Sequence, residues 1–500
     1  MVRTMIGVDS TGAGCLKIMK SNADDPRTTP DSQRSKFLYN SKYLNMEVAD
    51  ITVCNTFGGQ GVRTTPAGAP RSNFQTLEFG GAGESIWIYD KSFFPKLRYN
   101  VPLFDWKQRK GNGSIRYNQN MVDWEDKGKY RSGRGGSYFT GNRDQGSWLI
   151  NASEYPNGTS WSSDFCTAVF IDQQDDIDAF NPFSTRYRRL VVWDLPGDNT
   201  PIADAPNLAP NGTKTIRIAN NAMKIAKPGY SVDTATYAQL AFDSTRLPVK
   251  VIRAADIALP SGQSFYECGF PVTDNVALDV HFYTGSTIMY PNNPVDLKFG
   301  AEYWFDGTRI YFDATQAMRA RFMLYLEDNS APTSGTYNVL RQFNDGTQDV
   351  VQFLRPGAAT PPSWADIIID TRWPQVQILA EGYFNVTSGN GNVVDIPFDG
   401  AGMFPMVKYM TYHGGGSLFS INASWQNRVR MPFLDILKFG YQGQSHTGNS
   451  TYCELTANNA RFRTFRGNVG DYYEDDNFEW QTDGADPPLG IRYYIFGIPA

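Results

Sequence analysis

Few residues in this chain are placed to do chemistry. His413-Gly-Gly-Gly416 is the sharpest motif, because a loop of that composition can supply the backbone donors of an esterase oxyanion hole. That chemistry also needs a nucleophilic serine on a Gly-x-Ser-x-Gly turn, and no such pentapeptide occurs. The motif therefore reads as a glycine-rich turn after the strand through Tyr409. The other histidines, His281 and His446, have no metal-ligand spacing, and HExxH, CxxC, Walker A and GxGxxG patterns are absent. Asp172, Asp175, Asp176 and Asp178, and likewise Glu474, Asp475 and Asp476, offer the oxygen ligands that calcium takes. Neither cluster has the EF-hand pattern, and both read as solvated loops. Trp161, Trp480, Asp475 and Glu479 are the residue types of a glycosidase site. With 51 acidic residues, 27 Tyr, 32 Phe and 11 Trp, such neighbours arise from composition alone. A non-hydrolytic glycan-binding surface fits them better. The expectation is a protein without catalytic residues, cofactor or metal.

The elements that would carry any site follow from composition. Five hundred residues exceed one hydrophobic core, and about three domains is the starting expectation. Aromatic residues make up 14%, and runs of them are broken by Gly, Pro, Asn and Asp, as short strands and turns require. Helical periodicity is scarce. The net charge of −5 argues against a nucleic-acid binder, which would be basic. The N-terminus has no apolar stretch of a secretory signal, and no apolar run reaches the ~20 residues of a membrane span. The seven sequons, at Asn112, Asn151, Asn157, Asn211, Asn385, Asn422 and Asn449, then read as turn asparagines. The cysteines Cys15, Cys54, Cys166, Cys268 and Cys453 are odd in number and widely spaced. They read as reduced, buried thiols, with an inter-subunit disulfide as the alternative.

Internal similarity is the strongest signal. Lys17-Ile-Met-Lys20 followed by Asn40-Ser41, Lys224-Ile-Ala-Lys227 followed by Asp243-Ser244, and Gln352-Phe-Leu-Arg355 followed by Asp370-Thr371 share one order. Each has a polar or basic residue, a turn-rich stretch, an apolar pair, an Asx-Ser/Thr pair, and a short alternating strand. Pro228-Gly229 and Pro356-Gly357 set tight turns, with proline fixing φ and glycine supplying φ > 0. The Asx-Ser/Thr pair is suited to satisfying backbone donors at a second turn. A second block pairs Phe94-Pro95 with Phe404-Pro405, and with Phe270-Pro271 more weakly. A closing strand recurs as Arg189 to Pro196, Arg321 to Leu326 and Arg492 to Pro499. The reading is a mostly β chain of three tandem, diverged β-sandwich-like modules, 1–198, 199–330 and 331–500, with linkers near 197–213 and 328–337. Module one carries an insertion over about 105–180 and module three a smaller one over about 440–485. Module two is the pared-down spacer. Recognition is expected on the insertions, through Trp106, Arg109, Arg116, Tyr130, Arg131, Tyr138, Tyr472, Tyr473 and Trp480. Asp123, Glu125 and Asp126 interrupt the basic run from Lys107 to Arg134, so that loop faces protein rather than DNA.

Lys227-Pro228-Gly229, Phe242-Asp243-Ser244, Gly402-Met-Phe-Pro405 and Tyr493-Tyr-Ile-Phe496 together resemble a module of tailed-bacteriophage virion proteins. Module one departs from it, with Lys20-Ser-Asn in place of Lys-Pro-Gly. The resemblance implies a structural role in a tail tip, tail fibre or adaptor, and no catalytic residues. Other virion proteins and further copies of this chain about the tail axis would be its partners, within a virion made in the bacterial cytoplasm. A receptor-binding protein for host glycan or protein is the first alternative. A capsid decoration protein or a glycan depolymerase follows.

Overall fold

A computed structural model describes side chains over residues 3–43 and over most of 213–326, 339–412, 451–464 and 488–500, and elsewhere the paths of strands alone. The chain is mostly β, in several antiparallel sheets. Among the described residues the one helical segment is the 3-10 turn Arg34–Lys36.

The opening block of each module folds into a three-stranded sheet, here called a cap sheet. The three are Thr4–Val8, Gly14–Met19 and Phe37–Asn40; Ile216–Ala219, Ala222–Ala226 and Leu240–Asp243; and Leu340–Asn344, Asp349–Leu354 and Ile367–Asp370. Their registers coincide. Lys17 faces Asn40, Lys224 faces Asp243 and Gln352 faces Asp370, and each second strand has an irregularity one residue later. The glycines of the two Pro-Gly turns have φ of +89° at Gly229 and +88° at Gly357, the left-handed region that a side chain would resist. The Ser/Thr hydroxyls do something the sequence did not indicate. They reach across the sheet rather than along their own turn. Ser41 Oγ accepts from the Leu16 amide at 3.0 Å, Ser244 Oγ from Met223 at 2.8 Å and Thr371 Oγ1 from Val351 at 3.0 Å. Each hydroxyl thus extends a ladder beyond the end of its third strand. Ser244→Ala leaves a buried Met223 amide without its acceptor. It is expected to cost about 1–3 kcal/mol in urea unfolding, and an unchanged midpoint would contradict that role.

The inner faces of the three cap sheets meet. Leu16, Ile18 and Tyr39, Met223, Ile225 and Phe242, and Phe353 and Ile369, with the half-buried Val351, form one cluster from equivalent stations. Tyr39 packs edge-on to Phe242 at 6.3 Å. Enclosing one such side chain is worth roughly 1.5–3 kcal/mol, and each copy depends on the other two for that enclosure. Polar contacts repeat the same relation. Lys250 Nζ donates to the Trp364 carbonyl at 3.0 Å, and Gln377 Nε2 donates to the Arg34 carbonyl at 3.2 Å. Lys250 and Gln377 hold the same position after the Asx residue, and Trp364 and Arg34 the same position before it. One contact therefore runs from the second copy to the third and again from the third to the first.

Each module then builds a core sheet of an entry strand, a central closing strand and a middle strand. These are Glu47–Asn55, Tyr187–Asp194 and Leu103–Arg109; Val251–Leu259, Met318–Leu326 and Val276–Tyr283; and Gln377–Asn385, Gly490–Pro499 and Met403–His413. All three entry strands skip one residue in register at the same place, opposite Trp193, Tyr325 and Phe496. Arg189, Arg321 and Arg492 therefore share one station, as their sequence alignment proposes. The Phe-Pro alignment does not survive. Leu103, and not Lys96, stands where Met406 stands, and Ala277 takes the same place in module two.

A short strand after each middle strand pairs with a hairpin of the next module. Tyr117–Asn118 pairs with Ala301–Asp306, Ile288–Tyr290 with Tyr452–Leu455, and Arg428–Arg430 with Glu84–Asp90. The modules are thus linked one to two, two to three and three to one. In module two, Tyr303, Ile310 and Phe312 from strands Ala301–Asp306 and Arg309–Ala314 share a core with Leu278, Phe322 and Leu324 of the core sheet. Almost all of both linker segments lies outside the described residues.

Candidate functional site

The richest group of ionisable side chains lies where module two meets module three. Along Val276–Tyr283, Leu278, Val280 and Phe282 turn into the module-two core, so Asp279, His281 and Tyr283 share the other face. Alternation alone would expose that face. Instead Asp279 and His281 are each 3% exposed and Tyr283 5%, because Met403–His413 of module three covers them. Lys408 Nζ lies 2.6 Å from Asp279 Oδ2. The Val407 amide donates to His281 Nε2 at 3.3 Å, and Arg321 Nη1 donates to the Pro405 carbonyl at 3.1 Å. Tyr290 packs on the His281 ring at 4.8 Å. By strand register, Asp279 and Lys408 occupy the same station in their two modules. Two equivalent positions have acquired opposite charges and face each other.

Asp256 anchors the neighbouring end of the seam. It accepts from the Tyr283 hydroxyl at 2.5 Å, Arg319 Nε at 2.9 Å and Arg321 Nε at 2.8 Å. Burial pushes its carboxyl up, but the Tyr283 and Arg321 hydrogen bonds outweigh that and hold it below the usual carboxylate range. Burial pushes the Tyr283 hydroxyl up, and its bond to Asp256 adds to the rise. His281 is lowered, first by burial and further by Lys408 and Arg321, against the opposing pull of Asp279.

A second charged group locks the first cap sheet. Lys17 lies 2.7 Å from both Asp9 and Asp31, and Lys42 lies 3.0 Å from Asp9 and 2.5 Å from Asp31. Burial opposes ionisation of Asp9, yet hydrogen bonds from Lys17, Thr11 and Lys42 hold it far below the usual range. The third cap sheet repeats the device. Asp9 and Asp345 each sit at the hairpin turn and accept from the amide and hydroxyl of the threonine two residues on. Arg372 takes the place of Lys42, bonding Asp370 and reaching Asp345. Two cations matched to two carboxylates form a neutral, saturated clasp, a structural role rather than a ligand site.

Among the described residues, no group of three or more His, Cys, Asp or Glu side chains is arranged to hold a metal. Cys15, Cys268 and Cys453 are buried and free. Burial pushes the Cys15 thiol up to about 12, Cys268 up to about 11 and Cys453 well above its ordinary value. These three should resist a thiol-directed disulfide reagent at pH 8 in the folded chain and react on unfolding. Labelling of Cys15, Cys268 or Cys453 in native conditions, mapped by peptide mass spectrometry, would overturn that.

Of the recognition residues expected from sequence, the structure gives backbone positions for three. Trp106 and Arg109 lie on the module-one middle strand, and Tyr472 on the short strand Asp471–Tyr472. Arg116, Tyr130, Arg131, Tyr138, Tyr473 and Trp480 lie outside the described residues, as do both calcium-like acid clusters, Cys166, Trp161 and Gly414 to Gly416. The residues brought together at the seam were missed. The available signal was the polar alternation Asp279, His281, Tyr283 in a strand flanked by apolar residues. No family model, characterised protein or solved structure matches this chain.

Proposed function

We propose that this chain is a non-enzymatic structural component of a bacteriophage virion, placed in the tail tip or tail fibre and built from three β-sandwich-like modules. The observation that carries the structural part of this reading is the exposure of apolar side chains on repeated edge strands. Ile6 and Val8, Ile218, and Leu340 are 41%, 52%, 54% and 54% exposed. All four lie on the first strand of a cap sheet. Ile6, Ile218 and Leu340 stand opposite Leu16, Met223 and Phe353 of the shared core, so they point to the core side of their sheets. An exposed apolar residue on the first strand of all three cap sheets, beside an enclosed core, suits protein contact better than small-molecule chemistry. The expected insertions over about 105–180 and 440–485 supply further contact regions outside the strands Leu103–Arg109, Tyr117–Asn118, Tyr452–Leu455 and Asn459–Thr464. Partners are other virion proteins, with copies of this chain about the tail axis. The assignment to a virion itself rests on the sequence resemblance.

The test is quantitative mass spectrometry of purified particles. The chain should be present at a fixed stoichiometry that survives repeated density-gradient purification. Its absence from mature particles, or loss on purification, would reject the proposal.

A further inference from the structure

We propose that the seam between modules two and three is an acid-opened joint with His281 as its trigger. This inference stands on the seam alone and does not require the virion assignment.

The geometry makes the seam depend on a neutral imidazole. Strand Met403–His413 pairs on one side with the closing strand Gly490–Pro499, and on the other with Arg428–Arg430 only at Thr411 to His413. At Val407 the outward amide is therefore free of a strand partner, and His281 Nε2 receives it. Accepting there requires Nε2 to keep its lone pair, with the ring proton on Nδ1. A second proton at Nε2 converts the acceptor into a donor. N–H then faces N–H across a buried contact, and the hydrogen bond is lost.

Asp279 and a backbone hydrogen bond at Val280 favour the added charge, but burial and the nearby cations outweigh them. On its own strand His281 has Asp279, already 2.6 Å from Lys408. The facing strand contributes Lys408, and the adjacent closing strand contributes Arg319 and Arg321. Asp256 on the entry strand is engaged by both arginines and by Tyr283. Tyr290, on the strand after the turn, presents its ring. Three cations thus stand against two carboxylates before His281 titrates, and imidazolium adds a fourth cation. Opening the seam lets water take up that charge.

The sign follows. His281 is held below its ordinary value of 6.5 in the closed seam, so protons favour the opened form. The closed seam keeps its full stability above about 6.5 and loses it as pH falls, by at most about tenfold in the opening constant per pH unit. Asp256, lowered from 3.8, contributes its losses only further down. The window from about 6.5 to 4.5 therefore belongs to histidine.

The experiment is hydrogen–deuterium exchange by mass spectrometry on the full chain between pH 7.5 and 4.5, corrected for intrinsic exchange. Peptides covering Met403–His413 should lose protection as pH falls below about 6.5, by at most about tenfold per pH unit, while Gly14–Met19 of the first cap sheet does not change. His281→Gln, whose side-chain carbonyl can accept from Val407, should flatten the response. The double variant H413Q/H446Q, in which His281 is the one remaining histidine of three, should retain it. Equal protection of Met403–His413 at both ends of the range, or the same pH response in H281Q as in the unaltered chain, overturns the proposal. If H281Q does not fold, H413Q/H446Q decides alone, a flat profile overturning it and a rising one supporting it.

Discussion

Lys408→Met is expected to destabilise the protein by about 3–5 kcal/mol, the cost of leaving a buried carboxylate without its partner. Lys408 and Asp279 side chains are 3% and 5% exposed and 2.6 Å apart. Water cannot replace the lost ammonium without opening the joint between modules two and three. Solvent screening, which reduces exposed pairs to a fraction of a kcal/mol, has little purchase here. The pair itself need not be net stabilising, because two desolvated charges cost about what their attraction returns. The double variant Asp279→Leu/Lys408→Met should therefore recover most of the loss. Urea unfolding of the single and double variants measures both effects. A Lys408→Met loss below about 1 kcal/mol would mean that the seam is wet in solution.

Residues 331–500 expressed alone should fail to unfold cooperatively. The fragment keeps its cap and core sheets but loses four supports. Phe353 and Ile369 lose the Leu16, Ile18, Met223 and Ile225 side chains that enclose them. Tyr452–Leu455 loses its partner Ile288–Tyr290, and Arg428–Arg430 loses Glu84–Asp90. Lys408 also loses Asp279. Domains are ordinarily stable by only about 5–15 kcal/mol, and uncovering several apolar side chains at roughly 1.5–3 kcal/mol each removes a margin of that size. A denaturant transition with no sharp midpoint, and strong binding of a hydrophobic dye, are the expected observations. A cooperative transition would show that module three is self-sufficient.

Legibility in the sequence tracked the range of the interaction. The opening block was readable because its parts act locally. Pro356-Gly357 makes a turn, and the Asx-Ser/Thr pair ends a strand at a fixed distance from the next. The closing strand was readable because a long apolar run led by Arg189, Arg321 or Arg492 keeps one register against the entry strand. The Phe-Pro match failed because two residues fix no register, and the spacer from Phe94 to Leu103 differs in length from that between Phe404 and Met406. The seam was missed because a lone histidine between alternating polar residues looks like an exposed strand face. The residues that bury it lie more than a hundred positions away.

The exposed first strands show the same division. Leu340 and Ile218 lie on those strands with apolar side chains 54% exposed. Their exposure depends on where three separate segments meet, which no local pattern encodes. By itself the sequence determined a mostly β chain, the recurrence of its opening block and closing strand, and the Pro-Gly turns, because backbone geometry and residue period fix those over a few residues. Only the tertiary structure decided that the three caps share one core, that strands pair between modules one and two, two and three, and three and one, and that Asp279, His281 and Lys408 meet. Those outcomes depend on enclosing apolar faces and matching buried charges between distant segments, and that free energy exists only when all the partners are present together.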